Sequence, residues 1–141
     1  MGFFFGGEDR KQKANQEIEK DEWDEIIENL MGYNAIKTVI LGTYEGLFIS
    51  SSGYNEQEEK LLAYSIEYLK SGEILDLGEI QEMVLKFKDN DIIILRIGYV
   101  IIIMKTAPNV EELVRLRLKN IMDKYIDIFN SFNNAVNIII K

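Results

Sequence analysis

Between Ile92 and Met104 the chain reads IIILRIGYVIIIM, two apolar runs that meet at Gly98 and Tyr99. Runs this short, rich in β-branched residues and joined through a glycine-containing dipeptide, predict a β-hairpin covered on both faces. A strand alternates its side chains between two faces, so an apolar residue at nearly every position leaves no face for water. Such a hairpin belongs at the centre of a sheet, with helices above and below it. The rest of the chain has to supply those layers.

A length of 141 residues suits a single domain with one core region. The chain has no cysteine, so neither a disulfide framework nor a thiolate metal site is available, and a reducing compartment is expected. It has no histidine either, which removes Ser-His-Asp and Cys-His arrangements and His-bearing zinc sites. No catalytic residues, no metal site and no cofactor are therefore expected. Twenty-four acidic against sixteen basic side chains leave a net charge of −8, which opposes binding to a phosphate backbone, so nucleic acid is not an expected partner. The longest apolar run is broken at Arg96, short of the ~20 residues a spanning helix needs, and nothing resembles a signal peptide. A cytoplasmic protein is expected.

Residues 1–20 open with MGFFFGG and continue as a mixed-charge stretch without periodicity, which reads as a flexible arm. Its Phe3, Phe4 and Phe5 are the residues that would make any peripheral membrane contact. Asp21 is placed to cap a first helix, along which Trp23, Ile26, Ile27, Leu30 and Met31 share one face before Gly32 stops it. Two strands follow, Ile36 to Leu41 and Leu47 to Ser51, and then a long helix from Glu56 to Leu75, capped by Asn55 or Ser52, with Leu61, Leu62, Ser65, Ile66 and Leu69 inward. From Ile80 to Lys88 the pattern alternates, with Met83, Leu85 and Phe87 on one face and Glu82, Val84, Lys86 and Lys88 on the other, as on an edge strand. After the central hairpin, Asn109 is expected to start a final helix running on to Phe132, with Val110, Val114, Leu118, Ile121, Tyr125 and Ile128 along one side. The apolar NIIIK ending has to pack on the body or meet a partner.

Three stretches, TVILGTYEGLFISSSG from Thr38 to Gly53, the acid-led second helix, and APNVEELVRLRLKNI from Ala107 to Ile121, occur in an order and at a spacing that resembles the roadblock family of dynein light chain roadblock proteins. The resemblance divides the chain into an arm (1–20), a roadblock domain (21–128) and a C-terminal extension (129–141). It implies a longin-like α/β (α+β) fold: a three-layer α/β/α sandwich with a five-stranded antiparallel sheet. The elements run helix, strand, strand, helix, strand, strand, strand, helix. The implied sheet order is second, first, fifth, fourth, third strand. The middle helix covers one face and the two terminal helices the other.

The resemblance also implies function. Roadblock proteins pair their third strands across a two-fold axis with the middle helices side by side, and such dimers bind Ras-like small GTPases. The expected dimer interface here is Glu82, Met83, Val84, Leu85 and Lys86 with Tyr64 and Tyr68 of the middle helix. The expected partner-binding face is Tyr64, Glu67, Tyr68, Ser71 and Arg115. The reading is a non-enzymatic homodimeric regulator of a small GTPase, with Arg115 the residue on the last helix free to reach out unless Glu111 or Glu112 pairs with it. The alternative is a structural adaptor that recruits partners to a membrane or motor through its terminal segments. Arg96, in a strand expected to be covered on both sides, needs a carboxylate or an escape to water, and a side chain snorkelling from the strand end is the simpler expectation.

Overall fold

The computed structural model describes residues 22–53 and 55–140, with side chains described up to Asn137. Asp21, the arm with Phe3, Phe4 and Phe5, Lys141 and the side chains of residues 138–140 lie outside what is described. The described elements are α1 (residues 22–31), β1 (Ile36–Thr43), β2 (Phe48–Ser51), α2 (Glu56–Ser71), a 3₁₀ turn (Gly72–Leu75), β3 (Glu82–Lys86), β4 (Asp91–Ile97), β5 (Val100–Thr106), α3 (Glu111–Lys124) and α4 (Ile126–Ile140). The five strands form one antiparallel sheet in the order β2-β1-β5-β4-β3, as expected.

The central hairpin explains the layering. On one face Ile93, Val100, Ile102 and Met104 join Ile26, Leu30, Val114, Leu118, Ile121 and Phe129 in a core under α1, α3 and α4. On the other face Ile92, Ile94, Ile101 and Ile103 pack with Leu62, Ile66 and Leu69 of α2. Period two in the strands therefore splits one apolar run into two cores, and each core takes its own helical layer. The turn between β4 and β5 needs its glycine twice over. Gly98 has φ +62, and a Cβ there would lie 2.6 Å from the Asn133 amide that reaches across from α4. Asn133 Oδ1 in turn accepts the Tyr99 N–H at 2.8 Å.

Two helices end differently from the sequence reading. The middle helix stops at Ser71 and tightens into a 3₁₀ turn, because Gly72 is a weak helix former pressed against Ile80, where a Cβ would meet Ile80 Cγ1 at 2.4 Å. The last helix is two helices, interrupted at Tyr125. The break turns the Tyr125 ring to α1, where its hydroxyl accepts from Asn29 Nδ2 at 3.0 Å. It also redirects α4 so that Phe129 enters the core, edge-on to Trp23 with centroids 5.4 Å apart. The position 128/129 falls inside α4. Asn55 caps α2 as expected, accepting the Glu58 N–H at 3.0 Å. Asn109 does not cap α3: it sits at φ +62 before Val110, and its groups are used elsewhere.

Candidate functional site

The expected interface residues come together along β3. In the described chain β3 pairs only with β4, in unbroken register from Glu82 opposite Leu95 to Lys86 opposite Asp91. Arg96 N–H donates to the Gln81 carbonyl at 2.9 Å and Phe87 N–H to the Asn90 carbonyl at 3.0 Å, so the odd-numbered residues of this strand bond inward. In an antiparallel pair each residue spends both its backbone groups on the same side. The N–H and C=O of Glu82, Val84 and Lys86 consequently face the open edge.

The side chains of that edge are fixed from behind. Met83 and Leu85 pack against the core under α2, and Val84 against the core under α3. Arg115 of α3 grips Glu82 with two bonds, Nε to Oε1 at 3.0 Å and Nη2 to Oε2. That forked geometry suits a guanidinium and a carboxylate, and it raises the Arg115 pKa. The Glu111 or Glu112 partner expected for Arg115 is replaced by Glu82, because α3 crosses directly behind β3.

At the other end of the strand Lys86 Nζ reaches Asp91 Oδ2 at 2.9 Å, Asn109 Oδ1 at 3.1 Å and both Glu111 oxygens at 3.1 Å. Asp91 is buried at the start of β4 and also accepts the Asn109 N–H at 2.9 Å. That backbone bond first, and then Lys86, hold the Asp91 carboxyl below the usual carboxylate range. Glu111 is likewise lowered, by its own N–H in the first turn of α3 and then by Lys86. Hydrogen bonds to Asp91 and Glu111 push the Lys86 ammonium up. Lys86 thus anchors β3 to α3, and Asp91 is a buried anchor at the start of β4.

On α2, Tyr64, Glu67 and Tyr68 are exposed. Ser71, also exposed, turns its hydroxyl back onto the Tyr68 carbonyl at 2.7 Å. Arg115 lies on the opposite face of the sheet, so it is brought to β3 but not to the tyrosines.

Sequence reasoning missed a polar cluster at the turn end of the sheet. Arg96 does not snorkel: its side chain is 10% exposed, its guanidinium lies 3.7 Å above the Tyr44 ring, Nε donates to the Gly98 carbonyl at 2.8 Å, and Nη1 is 3.1 Å from Glu79 Oε2. Tyr44 donates its hydroxyl to Glu73 at 2.9 Å. Burial, and then this bond, raise the Tyr44 pKa. An arginine inside an apolar strand was the available signal, but its carboxylate and ring come from loops that only the folded chain brings near.

Among the described residues no group of three or more His, Cys, Asp or Glu side chains is arranged to hold a metal ion, and no helix is long and apolar enough to cross a membrane. No protein-family model matches the sequence. A search of curated proteins returns no match. The architecture is nevertheless a known one. MglB of Myxococcus xanthus superposes with a TM-score of 0.69 at 20% identity, over 80% of this chain and 91% of that one. The chain has the roadblock fold. A Roadblock/LC7 domain from Streptomyces avermitilis matches with a TM-score of 0.64 at 11% identity, over 74% of this chain and 95% of that one. An MglB in a tetrameric arrangement matches at 0.65 and 13%, over 79% and 90%. The fold is thus matched at 11–20% sequence identity.

Proposed function

We propose that this chain is a homodimeric, non-enzymatic roadblock platform that binds and regulates a Ras-like small GTPase. The observation that carries the reading is the open β3 edge, which is regular and braced from behind, in a chain whose α2 also presents an exposed tyrosine face. An unpaired strand edge has to be blunted or used. Glu82 and Lys86, the charges that would blunt this one, are tied back to α3 and β4. Two copies joined antiparallel through Glu82 to Lys86 form one ten-stranded sheet and set the α2 helices side by side.

That pairing places Tyr64, Glu67, Tyr68 and Ser71 of both copies on one surface, the proposed docking face for the GTPase. Tyrosines suit the role because each buries a large ring and keeps a polar end. Arg115 serves this platform as the brace of β3. Its guanidinium is committed to Glu82, so regulation proceeds through the docked surface rather than through an inserted arginine.

Titration of the purified chain with small GTPases in the GDP and GTP states tests the proposal. Unequal affinity for the two states is expected, and replacing Tyr64 and Tyr68 together by Ala weakens the tighter complex by roughly 10- to 100-fold. Equal affinity for both states removes the regulatory role.

A further inference from the structure

β3 reads Glu82, Met83, Val84, Leu85, Lys86, with an acid at one end, a base at the other and apolar residues between. A two-fold axis lays such a strand end for end on its own copy, so opposite charges at its two ends make it complementary to itself. The side chains of Glu82, Val84 and Lys86 share the α3 face: Glu82 meets Arg115, Lys86 meets Glu111, and Val84 packs on the core under α3. The same residues turn their N–H and C=O to the open edge.

Backbone geometry limits how two copies of this edge can pair. Antiparallel strands bond through residues directly opposite each other that exchange both N–H···O bonds. The outward-bonding residues of one copy therefore lie opposite outward-bonding residues of the other, which puts the two-fold axis at a residue and never between two. An axis at Met83 pairs Glu82 with Val84 and leaves Lys86 beyond the second copy's strand, and an axis at Leu85 pairs Val84 with Lys86 and leaves Glu82 beyond it. An axis at Glu82 or Lys86 sets that residue against its twin, and like charges directly opposite are destabilising. At Val84 all five residues overlap, with Glu82 opposite Lys86, Val84 opposite itself and Lys86 opposite Glu82. The wider charge pattern points the same way. The Lys86 end also holds Asp91 and Glu111 and so carries an excess negative charge, whereas Glu82 and Arg115 balance each other. The axis at Val84 sets the negative end against the balanced one, and an axis at Lys86 sets it against itself.

We infer that the two-fold axis of the dimer passes at Val84, with Glu82 of each copy opposite Lys86 of the other; the inference rests on the proposed pairing through β3 and adds its register. Backbone bonds hold the copies together, and the charges at the strand ends select the register. Being tied back does not remove those charges from the seam: the Lys86 and Glu82 side chains remain 47% and 32% exposed. Val84, Lys86, Glu111 and Arg115 also line an open pocket of about 470 Å³ on this face, which leaves room for the second copy's side chains. Across the seam the signs then alternate, from Arg115 and Glu82 of one copy to Lys86 and Glu111 of the other.

The chain has no cysteine, so an introduced one reports on its own twin alone. Opposite residues of a hydrogen-bonded pair have Cα atoms about 5.5 Å apart, within the span of a disulfide. The test is mild oxidation of Val84→Cys with diamide, at a concentration where the chain is paired, followed by non-reducing electrophoresis. Val84→Cys shifts to doubled mass and returns on reduction. Met83→Cys and Leu85→Cys do not link alone, but their equal mixture does, because those two residues lie opposite each other when the axis is at Val84. Self-linking of Met83→Cys or Leu85→Cys in preference to Val84→Cys overturns the inference, as does a Val84→Cys chain that keeps its dimer mass and stays unlinked. Where Val84→Cys itself separates the copies, the mixture decides: a mixed link upholds the register and its absence overturns it. A wild type that is monomeric at every concentration overturns the platform reading and the register with it. GTPase titration of the linked Val84→Cys dimer reads the proposed function separately, because the tyrosine face of α2 is untouched.

Discussion

The sheet has two edges, and they are built differently. β2 has four residues, and its pairing with β1 slips at Leu41/Gly42, a bulge that twists the strand and ends the regular ladder. It carries Ser50 and Ser51 and lies beside α1, where Ser50 donates to Asp24 at 2.5 Å across a groove of about 650 Å³. β3 pairs without interruption from Glu82 to Lys86, and its charged side chains are drawn behind the sheet by Arg115, Asp91 and Glu111. A short, bulged edge is a poor template for another strand, whereas a regular one with its charges held back is a good one. The difference between edges therefore lies less in composition than in where the charged side chains are tied.

The strongest way to break the comparison is to remove what the two edges share. Ile102 is fully buried in central β5, and Ile102→Ala costs about 2–5 kcal/mol of folding stability, read from chemical denaturation. Both edges weaken together in that variant.

Next comes Val84→Pro, which deletes an N–H that faces outward and alters a side chain packed against the core under α3. The β3–β4 ladder stays, but each of two paired copies loses a bond, together about 2–3 kcal/mol or roughly 100-fold in dimer Kd. Light scattering should show the mass halved at concentrations where the wild type is paired, and Val84→Ala, which trims the same side chain but keeps the N–H, should retain the dimer mass. A Val84→Pro chain that keeps its dimer mass removes β3 as the seam.

Acid sharpens the comparison by acting at the β3 end. Asp91 and Glu111 titrate below their ordinary values, so their stabilisation is complete above about pH 4 and is lost as pH falls through the lowered values. Lys86 is raised, so its contribution is present at every pH below about 10.4, and stability is flat through neutrality. Lys86→Ala lowers the denaturation midpoint at pH 7 and makes the acid limb shallower, a combination that a surface lysine without buried partners does not produce.

The smallest effect is expected at the other edge. Phe48→Lys adds a charge to β2, and the dimer mass measured by light scattering stays as in the wild type. A change in mass there would make β2 the pairing edge.

Much of this was readable from the residues in order. The alternation of Glu82 to Lys86 against the apolar runs Ile92 to Leu95 and Val100 to Met104 ranked the strands as edge and centre, since period two records directly which faces are covered. Asn55 and the stripe Leu62, Ser65, Ile66 and Leu69 placed α2 for the same local reason. The helix break at Tyr125 was not readable, because the residues around it continue a helical period and the bend is imposed by the fit of Phe129 against Trp23. Of the candidate site, the edge position of β3 was readable, whereas the Arg115 and Lys86 partners were not.

The sequence by itself determined which faces are apolar and which strands are central or at an edge, because those properties are carried by residues a few positions apart, while the order of pairing came with the resemblance to the roadblock family. Only the tertiary structure decided that Glu82 meets Arg115 across 33 positions, that Lys86 joins Asp91 to Glu111, and that Arg96 rests on Tyr44 and pairs with Glu79. A charge has many possible partners along a chain, and the packing of α3 and the loops against the sheet selects one of them.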